Sequence, residues 1–166
     1  DGNTKGLKNI DITIEEKPTG EISAGAGYGT SGSTLAFGIK ENNFNGKGIK
    51  LDANLQLTEE SIRGKFAYTN PNFAYSDRSV TTSLESSSLD KETDFGYKSS
   101  LNRIALGTAF QQYENLYFAP RISIQHEQLS TTASASAAYK KQEGSYFDTL
   151  FNYSLSYDKR DSAYRP

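Results

Sequence analysis

Apolar and polar residues alternate with a period of two almost from one end of this chain to the other, and no stretch of a dozen residues keeps apolar positions at helical spacing. The clearest run places Ile49, Leu51, Ala53, Leu55 and Leu57 on one side and Lys50, Asp52, Asn54, Gln56 and Thr58 on the other. Successive side chains of an extended strand point to opposite faces, so this run is a strand with one oily and one wet surface. The same pattern gives Ile62, Gly64, Phe66 and Tyr68 against Arg63, Lys65 and Thr69, and Phe147, Thr149, Phe151, Tyr153, Leu155 and Tyr157 against Asp148, Asn152, Ser154 and Asp158. An all-β fold follows.

Clusters of Gly, Asn, Asp and Ser divide the alternation into strands. A short leader, Lys8 to Glu16, precedes Pro18-Thr19-Gly20. Eight further strands are expected at Glu21 to Gly29, Ser33 to Glu41, Gly48 to Thr58, Ser61 to Asn70, Ser79 to Ser88, Asp94 to Phe110, Leu116 to Gln128 and Tyr146 to Lys159. The connections fall into two alternating sets. One comprises Thr30-Ser31-Gly32, Glu59-Glu60, Leu89 to Thr93 and the low-complexity Thr131 to Ser145. The other is aromatic and turn-rich: Asn42 to Gly46, Asn70 to Phe73, and Gln111 to Asn115. In an up-and-down barrel alternate turns lie on opposite sides of the membrane, so this segregation is the pattern of an outer and a periplasmic rim. Two places strain the scheme. The apolar parity changes near Asn102-Arg103, which predicts a bulge or a strand leaving the membrane. Pro120 has no amide hydrogen for the ladder, which predicts a local break.

Composition narrows the chemistry. The 166 residues include no cysteine, which excludes disulfides, thiolate metal sites and cysteine nucleophiles. A net charge of −2 with no dense run of Lys or Arg gives no reason to expect nucleic-acid binding. The mean hydropathy of −0.66, together with the absence of any apolar run near 18 residues, excludes a transmembrane helix but not a membrane barrel, whose lumen-facing residues keep the average polar. A soluble β-sandwich also alternates, and it remains open on periodicity alone. Neither an initiator Met nor a signal segment is present, and both ends are expected to be cut from a longer chain.

Other signals are weak. Gly27-Tyr28-Gly29-Thr30-Ser31-Gly32, with Asp52 beyond it, fits a dinucleotide fingerprint, but a strand pattern follows where a helix is required. His126, the single histidine, reads as an exposed polar residue at a strand end. Glu15-Glu16 and Glu59-Glu60 point to opposite faces if extended and read as solvated. Asn152-Tyr153-Ser154 fits a glycosylation acceptor inside a strand, and Glu114 to Phe118 begins a strand. No catalytic residue, metal ligand or cofactor is assigned.

Lys17-Pro18-Thr19-Gly20 followed by Ala24-Gly25-Ala26-Gly27-Tyr28-Gly29-Thr30 resembles the junction between the last POTRA domain and the barrel of BamA-type outer-membrane assembly proteins, the bacterial surface antigen family. Glu41 to Gly48 and Thr69 to Phe73 resemble that family's first two periplasmic turns. Asp158-Lys159-Arg160-Asp161 through Tyr164-Arg165-Pro166 resembles the turn that closes the first half of the barrel. The resemblance implies a transmembrane antiparallel barrel represented by its first eight strands of sixteen, with residues 1–17 the end of a POTRA domain and 18–166 the half-barrel.

It also implies a non-enzymatic function in the Gram-negative outer membrane: folding and inserting other barrel proteins without a nucleotide. Outer-membrane lipid, unfolded clients and accessory lipoproteins would be its partners. The seam is expected at Ile22, Ser23, Ala24, Gly25, Ala26, Gly27, Tyr28 and Gly29, where glycines leave little side chain to fix register. The same glycines would equally admit a packed lumen element. Leu51, Leu55, Ile62, Phe66, Phe151, Leu155 and Tyr157 are expected to face lipid. A self-contained eight-stranded barrel with a structural or binding role is the alternative.

Overall fold

A computed structural model describes residues 12–15, 17–29 and 32–160. Eight antiparallel strands form one sheet in sequence order: β1 (Gly20–Gly29), β2 (Gly32–Phe44), β3 (Ile49–Thr58), β4 (Ser61–Asn70), β5 (Ser79–Lys91), β6 (Tyr97–Tyr113), β7 (Leu116–Thr131) and β8 (Gly144–Tyr157). Two short helices interrupt the meander, α1 (Glu92–Phe95) between β5 and β6 and α2 (Ala137–Lys141) between β7 and β8. Of the expected leader, Lys8 to Glu16, residues 12–15 carry no regular structure and the others lie outside the described residues.

Register alone separates the two faces. One row runs Ile39, Ala53, Phe66, Leu84, Ile104, Ile124 and Thr149 across seven strands as consecutive cross-strand partners. Rows beside it add Phe37, Leu55 and Leu57 with Ile62 on one half of the sheet, and Leu106, Ile122 and Phe151 on the other. Most of these side chains are exposed, among them Phe37, Phe66, Ile104 and Phe151. A continuous exposed apolar surface of this extent needs a nonaqueous neighbour.

The opposite face is polar and cross-linked in its second half. Arg103 donates through Nη1 to Glu85 Oε2 at 3.2 Å and through Nε and Nη2 to Gln125 Oε1 at 3.0 and 2.8 Å. Gln125 Nε2 reaches Asp148 Oδ2 at 3.3 Å, and Arg121 Nη2 donates to Ser83 Oγ at 2.6 Å. One hydrogen-bonded chain thereby laces β5, β6, β7 and β8 together.

The parity change near Asn102 involves no bulge: β6 pairs with β5 and β7 without a register shift there. Past Leu84, Ile104 and Ile124 the outward residues turn polar, with Ser86, Asn102 and His126, then Ser88, Ser100 and Gln128. Leu101 and Tyr97 accordingly belong to the inner face. The expected connection Leu89 to Thr93 is therefore displaced rather than shortened: β5 continues to Lys91, and Asp94 and Phe95, read as the start of the next strand, lie in α1, so β6 begins only at Tyr97. The connection Thr131 to Ser145 is shorter than read, because β7 runs to Thr131 and β8 begins at Gly144. Above this extension the β7–β8 connection folds onto the inner side, where Tyr139 stacks on Tyr97 at 4.3 Å. Gly96, at φ 74°, is buried beneath it, with room for no side chain: a Cβ would lie 2.6 Å from Ala135 N.

Pro120 does not break β7. Its partnership with Tyr153 on β8 is kept, while the β6–β7 ladder skips from Gly107–Arg121 to Phe110–Phe118 without changing register. The missing amide hydrogen is absorbed as a short gap in the pairing. His126 lies inside β7 rather than at a strand end, its ring 4.6 Å from that of Phe147. Glu59 and Glu60 are engaged as well: Glu59 Oε1 accepts from Ser33 N at 3.0 Å, and Glu60 pairs with Lys91.

Candidate functional site: the unpaired first strand

β1 pairs with β2 through ten positions, from Gly20–Glu41 to Gly29–Gly32, and among the described residues nothing pairs with its other edge. Every residue of β1 is exposed. Alternation puts Ile22, Ala24, Ala26 and Tyr28 on the apolar face, where Ile22, Ala24 and Ala26 pair with Ile39, Phe37 and Leu35. Ser23, Gly25, Gly27 and Gly29 take the inner face.

That inner face is bare. A Cβ on Gly25, Gly27 or Gly29 would meet no atom within 4 Å, so among the described residues no lumen element packs against them. Over Gly25 to Gly29, without inner-face side-chain pairs, β1 is held to β2 by backbone hydrogen bonds and by its apolar face.

Its base is fixed by a clamp that sequence reading missed. Glu41 Oε1 accepts from Thr19 Oγ1 at 2.5 Å and from Asn43 N at 2.7 Å. The Asn42 amide and side chain both donate to Thr19 O, at 3.2 and 3.1 Å. Asn43 Oδ1 then accepts from Gly48 N at 2.6 Å, closing a turn in which Asn45 and Gly46 adopt positive φ. Gly38 leaves room for the side chains on either side of it, since a Cβ there would sit 2.5 Å from Ser23 Oγ and 3.1 Å from Asn54 Oδ1. A glycine within an alternating strand was the available signal of that close approach.

The opposite edge, β8, is likewise paired on one side, with β7 from Leu116–Tyr157 to Leu129–Gly144. Just beyond it, Asp158 N donates to Asn115 O at 2.9 Å, and the Arg160 side chain grips the Asp158 carboxylate through Nη2 at 2.5 Å and Nε at 2.8 Å. The Arg160 side-chain and backbone hydrogen bonds hold that carboxyl down at about 2. Asp161 to Pro166, the end of the motif read as a closing turn, lie outside the described residues.

The seven residues expected to meet lipid, Leu51, Leu55, Ile62, Phe66, Phe151, Leu155 and Tyr157, share the apolar face. Leu51, Leu55 and Ile62 are partnered there by Tyr68, Gly64 and Leu57, and Phe151, Leu155 and Tyr157 by Ile122, Phe118 and Leu116. The Gly27 to Gly32 motif opens strand β2 and no helix, so it lacks the N-terminal amides that hold a pyrophosphate. Among the described residues no three His, Asp or Glu side chains come together as a metal site.

Comparison with known proteins agrees with this architecture. The crystal structure of BamA from Haemophilus ducreyi lacking POTRA domains 1–3 superposes with a TM-score of 0.62 at 23% identity over 92% of this chain. The chain spans 32% of that structure's length. The Omp85 superfamily domain matches residues 43–166, three quarters of the sequence. The chain therefore belongs to the Omp85 superfamily, and its eight strands are a BamA-like part of an outer-membrane β-barrel.

Proposed function

We propose that the protein assembles and inserts other outer-membrane barrels, and that β1, over Ile22, Ser23, Ala24, Gly25, Ala26, Gly27, Tyr28 and Gly29, is the edge on which an incoming strand pairs. The observation that carries the reading is a ten-residue strand, paired on one side and bare on its inner face. In lipid an unpaired strand has no solvent to satisfy its amides, so an edge that can release its own closing partner lowers the barrier for a client strand by offering it backbone partners. No nucleotide is needed, because the free energy comes from client hydrogen bonding and burial in lipid.

In this reading residues 1–17 end a POTRA domain and 18–166 form half a barrel. The rim bearing the β2–β3, β4–β5 and β6–β7 turns faces the periplasm, Leu51, Leu55, Ile62, Phe66, Phe151, Leu155 and Tyr157 face lipid, and accessory lipoproteins act with the assembled protein. The laced wall of β5 to β8 supplies a stiff frame against which the lightly pinned β1 can move. The open sheet, with β1 and β8 each paired on one side only among the described residues, weighs against a self-contained eight-stranded barrel.

The test is proline substitution in the full-length protein. Ala24→Pro or Ala26→Pro removes a backbone donor and should abolish insertion of a client barrel, whereas Ala24→Val and Ala26→Ser should leave it intact. Insertion that tolerates both prolines, or that fails equally with the side-chain swaps, contradicts strand pairing at β1.

A further inference from the structure

Beyond the apolar face, strands β5 to β8 carry a second outward surface of different chemistry. Ser86, Asn102, His126 and Phe147 are consecutive cross-strand partners, each two residues past the row of Leu84, Ile104, Ile124 and Thr149 and therefore of the same parity. Ser88, Ser100, Gln128 and Ser145 form the next row. At about 3.4 Å per residue the surface starts about 7 Å beyond that apolar row, and three strand spacings of about 4.8 Å make it about 14 Å wide. Phe147 is 77% exposed, and its ring lies 4.6 Å from that of His126. Ser86 Oγ donates to Asn102 Oδ1 at 2.8 Å, and His126 Nε2 and Ser145 Oγ share a hydrogen bond of 2.7 Å. Among the described residues the Asn102 amide nitrogen and the side chains of Ser88, Ser100 and Gln128 have no hydrogen-bond partner.

Neither row holds a Lys, Arg, Asp or Glu. The cation in the row above, Lys98, is taken up by Asp90 and Glu92 at 3.1 and 2.5 Å. Such a surface offers no charge to a phosphate, but its hydroxyl and carboxamide groups both donate and accept hydrogen bonds. The exposed Phe147 ring adds a negative face that attracts polarised C–H bonds. A sugar ring presents both complements, hydroxyls around its edge and C–H bonds on its face. We propose that these two rows bind the saccharide of an outer-leaflet glycolipid, one sugar ring lying on Phe147 and its hydroxyls on Asn102, Gln128 and the serines, with the acyl chains continuing along the apolar face. The proposal rests on placing the β2–β3, β4–β5 and β6–β7 turns in the periplasm, which puts both rows at the cell surface, and not on the β1 seam.

Native mass spectrometry of the full-length protein tests it, with release from a sugar-free detergent doped equally with diglucosyl diacylglycerol and phosphatidylglycerol of the same acyl chains. Folding of each variant is checked by heat-modifiable gel mobility. The unaltered protein should retain the glycolipid in preference. Phe147→Ala should lower that preference about fivefold, the loss of one ring contact, and Phe147→Tyr, which keeps the ring, should preserve it. Asn102→Ala combined with Gln128→Ala should lower it about tenfold. Glu127→Gln, next to His126 but on the inner face, should change nothing. In intact cells a membrane-impermeant maleimide should label Gln128→Cys. Equal retention of the two lipids by the unaltered protein, a preference unmoved by Phe147→Ala or by the Asn102 and Gln128 pair, or an equal loss with Glu127→Gln would overturn the site. Failure to label Gln128→Cys would overturn it through the orientation of the rims, leaving strand pairing at β1 to its own proline test.

Discussion

Arginine placed at two neighbouring positions of β2 separates a lipid face from a lumen face most sharply. Phe37 lies on the apolar face between Ala24 of β1 and Leu55 of β3, and Ala36 lies on the inner face between Gly25 and Gln56. Ser33 and Glu41 bound the apolar stretch of β2, each four residues from Phe37. At about 3.4 Å per residue and a tilt near about 40°, Phe37 is about 10 Å from either end of that stretch, at its midplane. Arg at such a depth costs about 2 to 4 kcal/mol. Phe37 is 48% exposed, so it also gives up packing on its cross-strand neighbours, although the Arg stem replaces part of this. Ala36→Arg adds a charge beside a glycine and a glutamine and should cost under about 1 kcal/mol. Urea unfolding of the full-length protein in lipid vesicles, followed by gel mobility, measures both. Equal costs, or a larger one for Ala36→Arg, would refute the assignment of faces.

Gly38→Ala should weaken the hold of β2 on β1 by about 1 to 3 kcal/mol, because the added methyl meets Ser23 Oγ, and Ser23→Gly should recover most of the loss. The same unfolding assay reads both. Asp158 should titrate at about 2, so the native contact is complete above the ordinary carboxylate range and is lost as pH falls from about 4 through about 2. Carboxyl-carbon NMR should show this, with Arg160→Gln moving the midpoint upward. Arg103→Met should release Glu85 and Gln125 together and lower the unfolding midpoint more than Glu85→Gln, which leaves the Arg103 contacts to Gln125 in place.

Where one face stays apolar and the turns are chemically distinct, alternation locates the strands to within one to three residues at each end. β4 was read as Ser61 to Asn70, bracketed by Glu59-Glu60 and Asn70-Pro71, and the structure has it there. The upper parts of β5, β6 and β7 were harder, because beyond the apolar band both faces are polar and period two loses its contrast. Backbone pairing such as Lys91–Tyr97 and Tyr97–Thr131 carries the strands on where hydrophobicity gives no signal. Helices α1 and α2 span four and five residues, too short for a helical period to register. At the candidate site the glycines of β1 were visible in sequence, since their spacing is their meaning. The Thr19–Glu41 clamp and the chain from Glu85 to Asp148 join residues more than twenty positions apart or on separate strands, and no local pattern announces them.

Site-specific crosslinking addresses the seam itself. Single cysteines along β1, at Ser23, Gly25 or Gly27 of the full-length protein, should crosslink to a client barrel stalled during insertion, and to the protein's own last strand when no client is present. Cysteines at Asn54 or Gln56 on β3, which is paired on both sides, should do neither. Equal client crosslinking from β1 and β3, or none from β1, would contradict the account.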